Sequence, residues 1–222
     1  MKILSLCTSA GLWDRAWLDA GHEVLPGCEV EPHKRAMYLA YCGARPLCHD
    51  IRELPAKVRG RHFDGVIGGI PCQSFSKLRS IRDPKFPDLT EAALAVLGAC
   101  TWDWFLFENV AKLSIPGAAH TLLNAMHYGI PHQSRPRWFT HSPHIQPAAT
   151  IYSGSVDDLI AYPVVAGRIY GPKRGAVLQG CPDFAQLTQF PCVQLQEALA
   201  DGVHRGGGVA KAWIKGIAPV AL

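Results

Sequence analysis

The chain has 222 residues, of which 48% are hydrophobic and 18% charged. That composition suits one α/β domain with a small appendage and excludes a long disordered tail or a run of the ~20 apolar residues that crosses a bilayer. A formal charge of +4 is compatible with nucleic acid but too modest to indicate it, so composition alone names no partner.

The N-terminal "MKILSLCTSAG" meets Asp14 and Arg15 too soon to serve as a secretory leader, which leads us to expect a cytoplasmic protein. "KILSLC" reads as a strand and "GLWDRAWLDAG" as a helix ended by Gly21. "HEVLPGCEV" suggests a second strand, and "PHKRAMYLAYCG" a helix with Pro at its start and Gly after its end. "HFDGVIGGI", "WDWFLFENV" and "RPRWFTHS" supply further strands, separated by the helical patterns "TEAALAVLGAC" and "GAAHTLLNAMHYG". Over residues 1–140 this alternation implies βαβ units, hence a mostly parallel sheet with helices on both faces. Such sheets bind ligands beyond the carboxyl ends of their strands.

Residues 141–175 carry Pro143, Pro147, Pro163 and Pro172 among several Gly and Ser, and predict a small irregular lobe. Short helical pieces return over 176–222, from "KRGAVLQGCPDF" to a closing "GGGVAKAWIKGIA". The 8 cysteines form no C-x-x-C pair, so their spacing carries no zinc or redox motif.

Several polar residues stand at predicted strand ends. The "TSAGL" turn follows the first strand, Glu29 and Glu31 the second, Pro71-Cys72 the "HFDGVIGGI" strand, and Glu108-Asn109 the "WFLF" run. All converge on one edge of the sheet, as an active site requires. The "GGIPCQSFS" stretch stops a strand abruptly and places a thiol at the corner.

Together these residues resemble the cytosine-5 methyltransferase family. "GGIPCQSFS" is similar to its Pro-Cys nucleophile motif, "FENV" to its Glu-Asn-Val motif and "QSRPR" to its Gln-x-Arg-x-Arg motif. "LQGCPDF" resembles the segment after its target-recognition region, and "GGGVAKAWIKGIA" its closing helix. The resemblance implies a Rossmann-like S-adenosylmethionine-dependent methyltransferase fold. It divides the chain into a catalytic and cofactor-binding domain over 1–140, a reduced target-recognition lobe over 141–175, and a C-terminal segment whose last helix packs back on the first domain.

The implied reaction is methyl transfer to C5 of a cytosine in double-stranded DNA, as in restriction-modification systems of bacterial or phage type. Cys72 is the implied nucleophile at C6, acting as thiolate. Glu108 is implied at N3 of the base, Arg137 at O2, and Arg135 as a brace for the site or a phosphate. Sulfur reaches C6 only if the base leaves the duplex. Gln73, Ser74, Ser76, Lys77, Arg79, Arg82 and Lys85 would then belong to a loop that closes over the flipped base and touches phosphates.

S-adenosylmethionine, released as S-adenosylhomocysteine, is the implied donor. The turn Cys7, Thr8, Ser9, Ala10, Gly11 and Leu12 matches the family's glycine-rich approach to it. Glu29 with Val30 matches the ribose-binding position, Glu31 being a weaker candidate, and Asp50 with Ile51 the adenine edge. Pro71 and Gly207 complete the implied cofactor set, and no metal is expected. This side departs from the family pattern: Ser5 stands where an Asp is usual, Cys7 replaces an aromatic, Ser9 and Leu12 replace glycines, and Gly207 an Asn. Losing a packing aromatic and a hydrogen-bonding amide should weaken cofactor binding by ~1–3 kcal/mol in total. The short lobe predicts a short or loose recognition sequence, or help from a second subunit.

Other readings stay open on these residues. RNA is one, because one subfamily acts on transfer RNA; a nucleic-acid-binding protein of the same fold with negligible turnover is another. An unrelated thiol hydrolase would need a His beside Cys72, and no hydrolase signature accompanies the 10 histidines.

Overall fold

The computed structural model describes residues 1–71, 87–124, 136–148, 160–162, 164–165, 168–169, 187, 189–190 and 209–217. Its centre is set by "KILSL", strand β1 (Lys2–Leu6), whose last four residues are buried. A run apolar on both faces suits a central parallel strand, and β1 lies parallel to β2 (Glu23–Pro26) on one side and β3 (His62–Gly69) on the other. β4 (Thr101–Asn109) continues parallel beside β3. β6 (Pro136–His141) runs antiparallel to β4, and β5 (Ala119–Asn124) pairs antiparallel with β6 at the edge. The order is β2-β1-β3-β4-β6-β5.

Side chains alternate across this sheet and divide the core in two. Leu4, Leu6, Phe105 and Phe107 face one layer, together with Leu54 and Val58 of α3 (Leu54–Val58) and Val96 of α4 (Thr90–Ala99). Ile3, Ile67, Leu106 and Phe139 face the other, under Trp13 and Trp17 of α1 (Leu12–Asp19) and Trp213 of α5 (Val209–Ile217). α2 (Pro32–Cys42) opens on Pro32 and ends at Gly43, φ 76°, as its punctuation predicts. α1 follows Gly11 at φ 85°; a Cβ there would fall 2.5 Å from Cys42 Sγ, so neither the angle nor the space admits a side chain.

The parallel sheet and the closing helix agree with the sequence reading. One element does not. Ala119–Asn124, expected to be helical, is strand β5, and its residues alternate in exposure until Leu123 turns into the core. Its six-residue pairing with β6 overrides the helical pattern. The rest of that predicted helix, over 125–129, lies outside the described residues. Within the lobe expected to be irregular, β7 (Ile160–Tyr162), β8 (Val164–Val165) and β9 (Arg168–Ile169) form a small antiparallel sheet. A 3-10 turn at Ile51–Glu53 and α3, neither foreseen, follow Asp50. Among the described residues no helix is long and apolar enough to cross a membrane.

Candidate active site

The parallel strands β1, β2, β3 and β4 all end on one edge, and the reversed β6 begins there. Glu108 pairs with Phe139 across β4 and β6. Arg137, two residues before Phe139, therefore shares a face with Glu108 on the diagonal. The side chains meet: Arg137 Nε lies 2.8 Å from Glu108 Oε1, with the pair largely shielded from solvent. On the other flank Gly69 is in register with Glu108. A Cβ at Gly69 would stand 3.8 Å from Glu108 Oε2, so the missing side chain leaves that oxygen uncovered. Gly68 has less room, since its Cβ would meet Leu6 Cβ at 3.0 Å.

Beyond Gly69 the chain leaves the sheet through Ile70 and Pro71. Asn109, 1% exposed, donates its amide hydrogen to the Ile70 carbonyl at 3.2 Å and accepts from Ala111 N–H at 3.3 Å. Cys72 is the next residue; it and Gln73, Ser74, Ser76, Lys77, Arg79, Arg82 and Lys85 lie outside the described residues, as do Arg135 and Gly207.

The turn after β1 is held by an acid from the end of β2. Glu29 accepts from Ser9 N–H at 2.9 Å and from Glu31 N–H at 2.8 Å, one bond on each oxygen. Those bonds fix a strained turn: Cys7 and Ser9 sit at φ 52° and 49°, where side chains are unfavourable. Burial pushes the Glu29 carboxyl up, and the backbone N–H groups of Glu31 and Ser9 with the Lys34 ammonium partly offset it. Lys34 Nζ lies 2.6 Å from Glu31 Oε2 in a buried pair. Arg35 braces the same loop through the carbonyls of Glu29 and Val30, at 2.9 and 2.6 Å.

Cys7 N–H points at Cys28 Sγ, 3.4 Å away. A side-chain hydrogen bond with Cys28, reinforced by burial, raises the Cys7 thiol well above its usual value, so it is no ready thiolate. Asp50 is held differently: Arg52 grips it through Nε at 2.9 Å and a terminal nitrogen at 2.5 Å, which lowers its pKa.

One cavity of about 230 Å³ joins these parts. Of the sequence-derived cofactor set, Cys7, Thr8, Ser9, Leu12, Glu29, Val30, Asp50, Ile51 and Pro71 line it, with Glu108 and Arg137 from the catalytic set. Ala10 and Gly11 do not; Ala10 is fully buried and Gly11 packs on α2. The sequence reading passed over Trp13, Asp14 and Lys34 as lining residues and Asn109 as a clamp. An acid inside the apolar stripe of α1 is the signal that Asp14 offered.

Residues 1–121 match the family model described as C-5 cytosine-specific DNA methylase. The Type II methyltransferase M.FnuDI of Fusobacterium nucleatum is 35% identical over 113 residues, which are 50% of this chain and 32% of that protein. M.NgoPII of Neisseria gonorrhoeae is 29% identical over 119 residues, 51% of this chain and 34% of its own length. The match therefore spans about a third of these relatives. The fold is similar to the Entamoeba histolytica methyltransferase EhMeth, with TM-score 0.70, 10% identity and 98% and 97% of the two chains covered. It is likewise similar to the S. pombe Dnmt2 methyltransferase, with TM-score 0.69, 13% identity and the same coverage.

Proposed function

Because the chain belongs to the C-5 cytosine-specific DNA methylase family, we propose that it moves the methyl group of S-adenosylmethionine to C5 of a cytosine flipped out of duplex DNA. One observation carries this reading: a single cavity has Glu29 and Asp50 on one side and the Glu108–Arg137 pair with Pro71 on the other. A donor and an acceptor base in contact would need such a shared space.

The residues present fit the donor. Val30, 48% exposed, offers an apolar face beside Glu29, whose carboxylate suits ribose hydroxyls. Ser9 Oγ is buried and without a partner among the described residues, so it is free to meet a ligand. Asp50 and Ile51 would take the adenine edge and Gly207 would close the pocket. When bound, the donor supplies an electrophilic methyl group.

The chain's own side chains prepare the base to receive it. Cys72 adds as thiolate to C6, and the electron pair of the C5–C6 bond moves through the ring towards N3, to which Glu108, as the carboxylic acid in this step, donates a hydrogen bond. Arg137 shares its donors between Glu108 and O2 of the base, which fixes the ring against the carboxyl. Once C5 has gained its methyl group, its hydrogen leaves as a proton to water and the C6–S bond breaks, restoring the thiolate. Asn109 orients the segment that carries Cys72 through Ile70. Arg135 would brace the site, Lys77, Arg79, Arg82 and Lys85 would contact phosphates, and residues 141–175 would read the bases.

Duplex DNA containing 5-fluorocytosine tests the reading, since fluorine cannot leave as a proton does. With labelled S-adenosylmethionine the chain should form a covalent adduct that disappears in Cys72→Ala. Donor binding without any adduct on DNA would overturn the DNA assignment, and methyl incorporation into total tRNA instead would move the substrate to RNA.

A further inference from the structure

The edge of the sheet opposite the cavity gathers a second set of polar side chains. β3 opens on His62 and Asp64, two residues apart and so on one face. Asp103 of β4 stands opposite Asp64, between the register pairs of Phe63 with Trp102 and Gly65 with Trp104. One ligand atom from each of His62, Asp64 and Asp103 lies within 4.8 Å of the other two. The length of β3 separates them from the Glu108 end of the sheet by about 23 Å, so they touch neither base nor donor.

Two features mark this as a place for a cation. The first is charge. Aspartates directly across adjacent strands repel each other, yet among the described residues neither is ion-paired with a lysine or arginine. The side chains of Lys2 and Arg61, at the same strand ends, lie instead over the Phe63 ring, 5.8 and 5.4 Å from its centroid. The second is a fixed lone pair. The Thr101 hydroxyl donates to the Arg61 carbonyl at 3.4 Å, so its oxygen accepts from His62 Nδ1–H at 3.2 Å. That relay puts the imidazole proton on Nδ1 and turns a bare Nε2 towards Asp103 Oδ2, 3.9 Å away. The separation is too long for a hydrogen bond and suits two ligands of one ion, each at ~2.0–2.2 Å. Asp64 is steadied by Lys2 N–H, which donates to Oδ2 and leaves Oδ1 for the ion.

We propose that His62 Nε2 and the carboxylates of Asp64 and Asp103 bind one divalent first-row transition cation, which ties the starts of β3 and β4 together. One imidazole with two carboxylates suits manganese or zinc better than calcium or magnesium, which prefer shells of oxygen alone. Water completes the shell, since His62 and Asp103 are exposed. The ion is structural, and its binding is independent of the methyl-transfer reading. Sequence spacing carries no sign of it, because the ligands come from two strands joined only by their register.

Manganese is the probe of choice, because the chain's thiols favour zinc and bind manganese poorly. Paramagnetic resonance of free Mn2+ during titration of the full chain should reveal one saturable site. His62→Ala and Asp103→Asn, both at exposed positions, should each weaken it about tenfold or more, and zinc in excess over the thiols should expel the manganese. Manganese should also raise the urea midpoint of the wild-type chain and leave that of the doubly substituted chain unmoved. No saturable site, full-strength binding in both variants, or a wild-type midpoint that manganese does not move would overturn the proposal.

Discussion

Asn109 and Ile70 are joined by a single side-chain-to-carbonyl hydrogen bond of 3.2 Å, which ties the end of β4 to the residue before Pro71. The bond connects the end of the strand that carries Glu108 to the segment that leads to Cys72, so in the proposed reaction it would set how the acid and the thiol approach one base. Asn109→Ala would leave the Ile70 carbonyl and Ala111 N–H without their partner in a buried place. A stability loss of ~1–3 kcal/mol is expected in urea unfolding. In the proposed reaction kcat should fall at least tenfold while affinity for S-adenosylhomocysteine is kept. Asn109→Asp keeps the acceptor for Ala111 but sets a buried carboxylate against the Ile70 carbonyl, so it should lose at least as much stability as Asn109→Ala and should not recover kcat. Wild-type turnover in either variant would remove Asn109 from the positioning of the site.

Glu29 has a comparable position on the donor side. Both its oxygens accept backbone N–H groups, from Ser9 and Glu31, so the acid builds the turn as well as facing the cavity. Glu29→Ala strands both donors and lets the left-handed Ser9 relax; it should cost ~2–4 kcal/mol of stability, the sum of two unsatisfied buried groups. Glu29→Gln retains one acceptor and should cost about half as much. Both should weaken S-adenosylhomocysteine by about tenfold or more by titration. If Glu29→Gln were to bind the probe as tightly as wild type, the acid would be a turn former alone.

The parts of this site that were legible from residues alone were those fixed locally. Apolar runs such as "EVLP" and "WFLF" made the strands, and the acids after them, Glu29 and Glu108, necessarily fell at the edge. Arg137 reached the same edge because β6 runs backwards, a reversal that the sequence reading did not foresee. Asp14 escaped because an acid in a helix ordinarily faces water. What buries it are hydroxyls from Ser5 and Tyr38, 9 and 24 positions away, contacts with no local signature. β5 was misread for a similar reason: "AHTLLN" is short and ambiguous, and its strand is decided by β6. The grip of Arg52 on Asp50 spans only two residues, yet D-x-R spacing is too common to announce itself.

Trp213 closes the layer beneath α1. It is fully buried, with ring centroids 5.4 Å from Phe139 and 4.9 Å from His141, and it anchors α5 to β6. Trp213→Ala should destabilise the fold by ~3–5 kcal/mol through the cavity it opens. Its Nε1–H, however, is buried without a partner among the described residues. Trp213→Phe deletes that unpaired donor along with part of the ring, so the two effects oppose each other and the net change should stay within about 1–2 kcal/mol. Urea denaturation of both variants measures this; equal losses would mean that the indole nitrogen is paired in solution.

The burial of Asp14 should make the stability of the fold depend on pH. Burial raises its pKa from 3.8 to about 6, and the hydroxyls of Ser5, from β1, and Tyr38, from α2, pull the other way without cancelling it. A carboxyl with a raised folded pKa holds its proton more tightly folded than unfolded. Its stabilising contribution is thus complete below about pH 4 and is lost as pH climbs through about 6, where the buried group must ionise. Asp14→Asn lacks this loss. The stability of the variant relative to wild type should therefore rise by about 2–3 kcal/mol between pH 4 and 7 and level off above. The hydrogen bond forfeited by the amide shifts the whole difference by a constant, and the other titrating groups cancel between the two proteins. Urea midpoints for both chains at half-unit steps measure that difference; a flat line would mean that Asp14 titrates as an ordinary solvated acid.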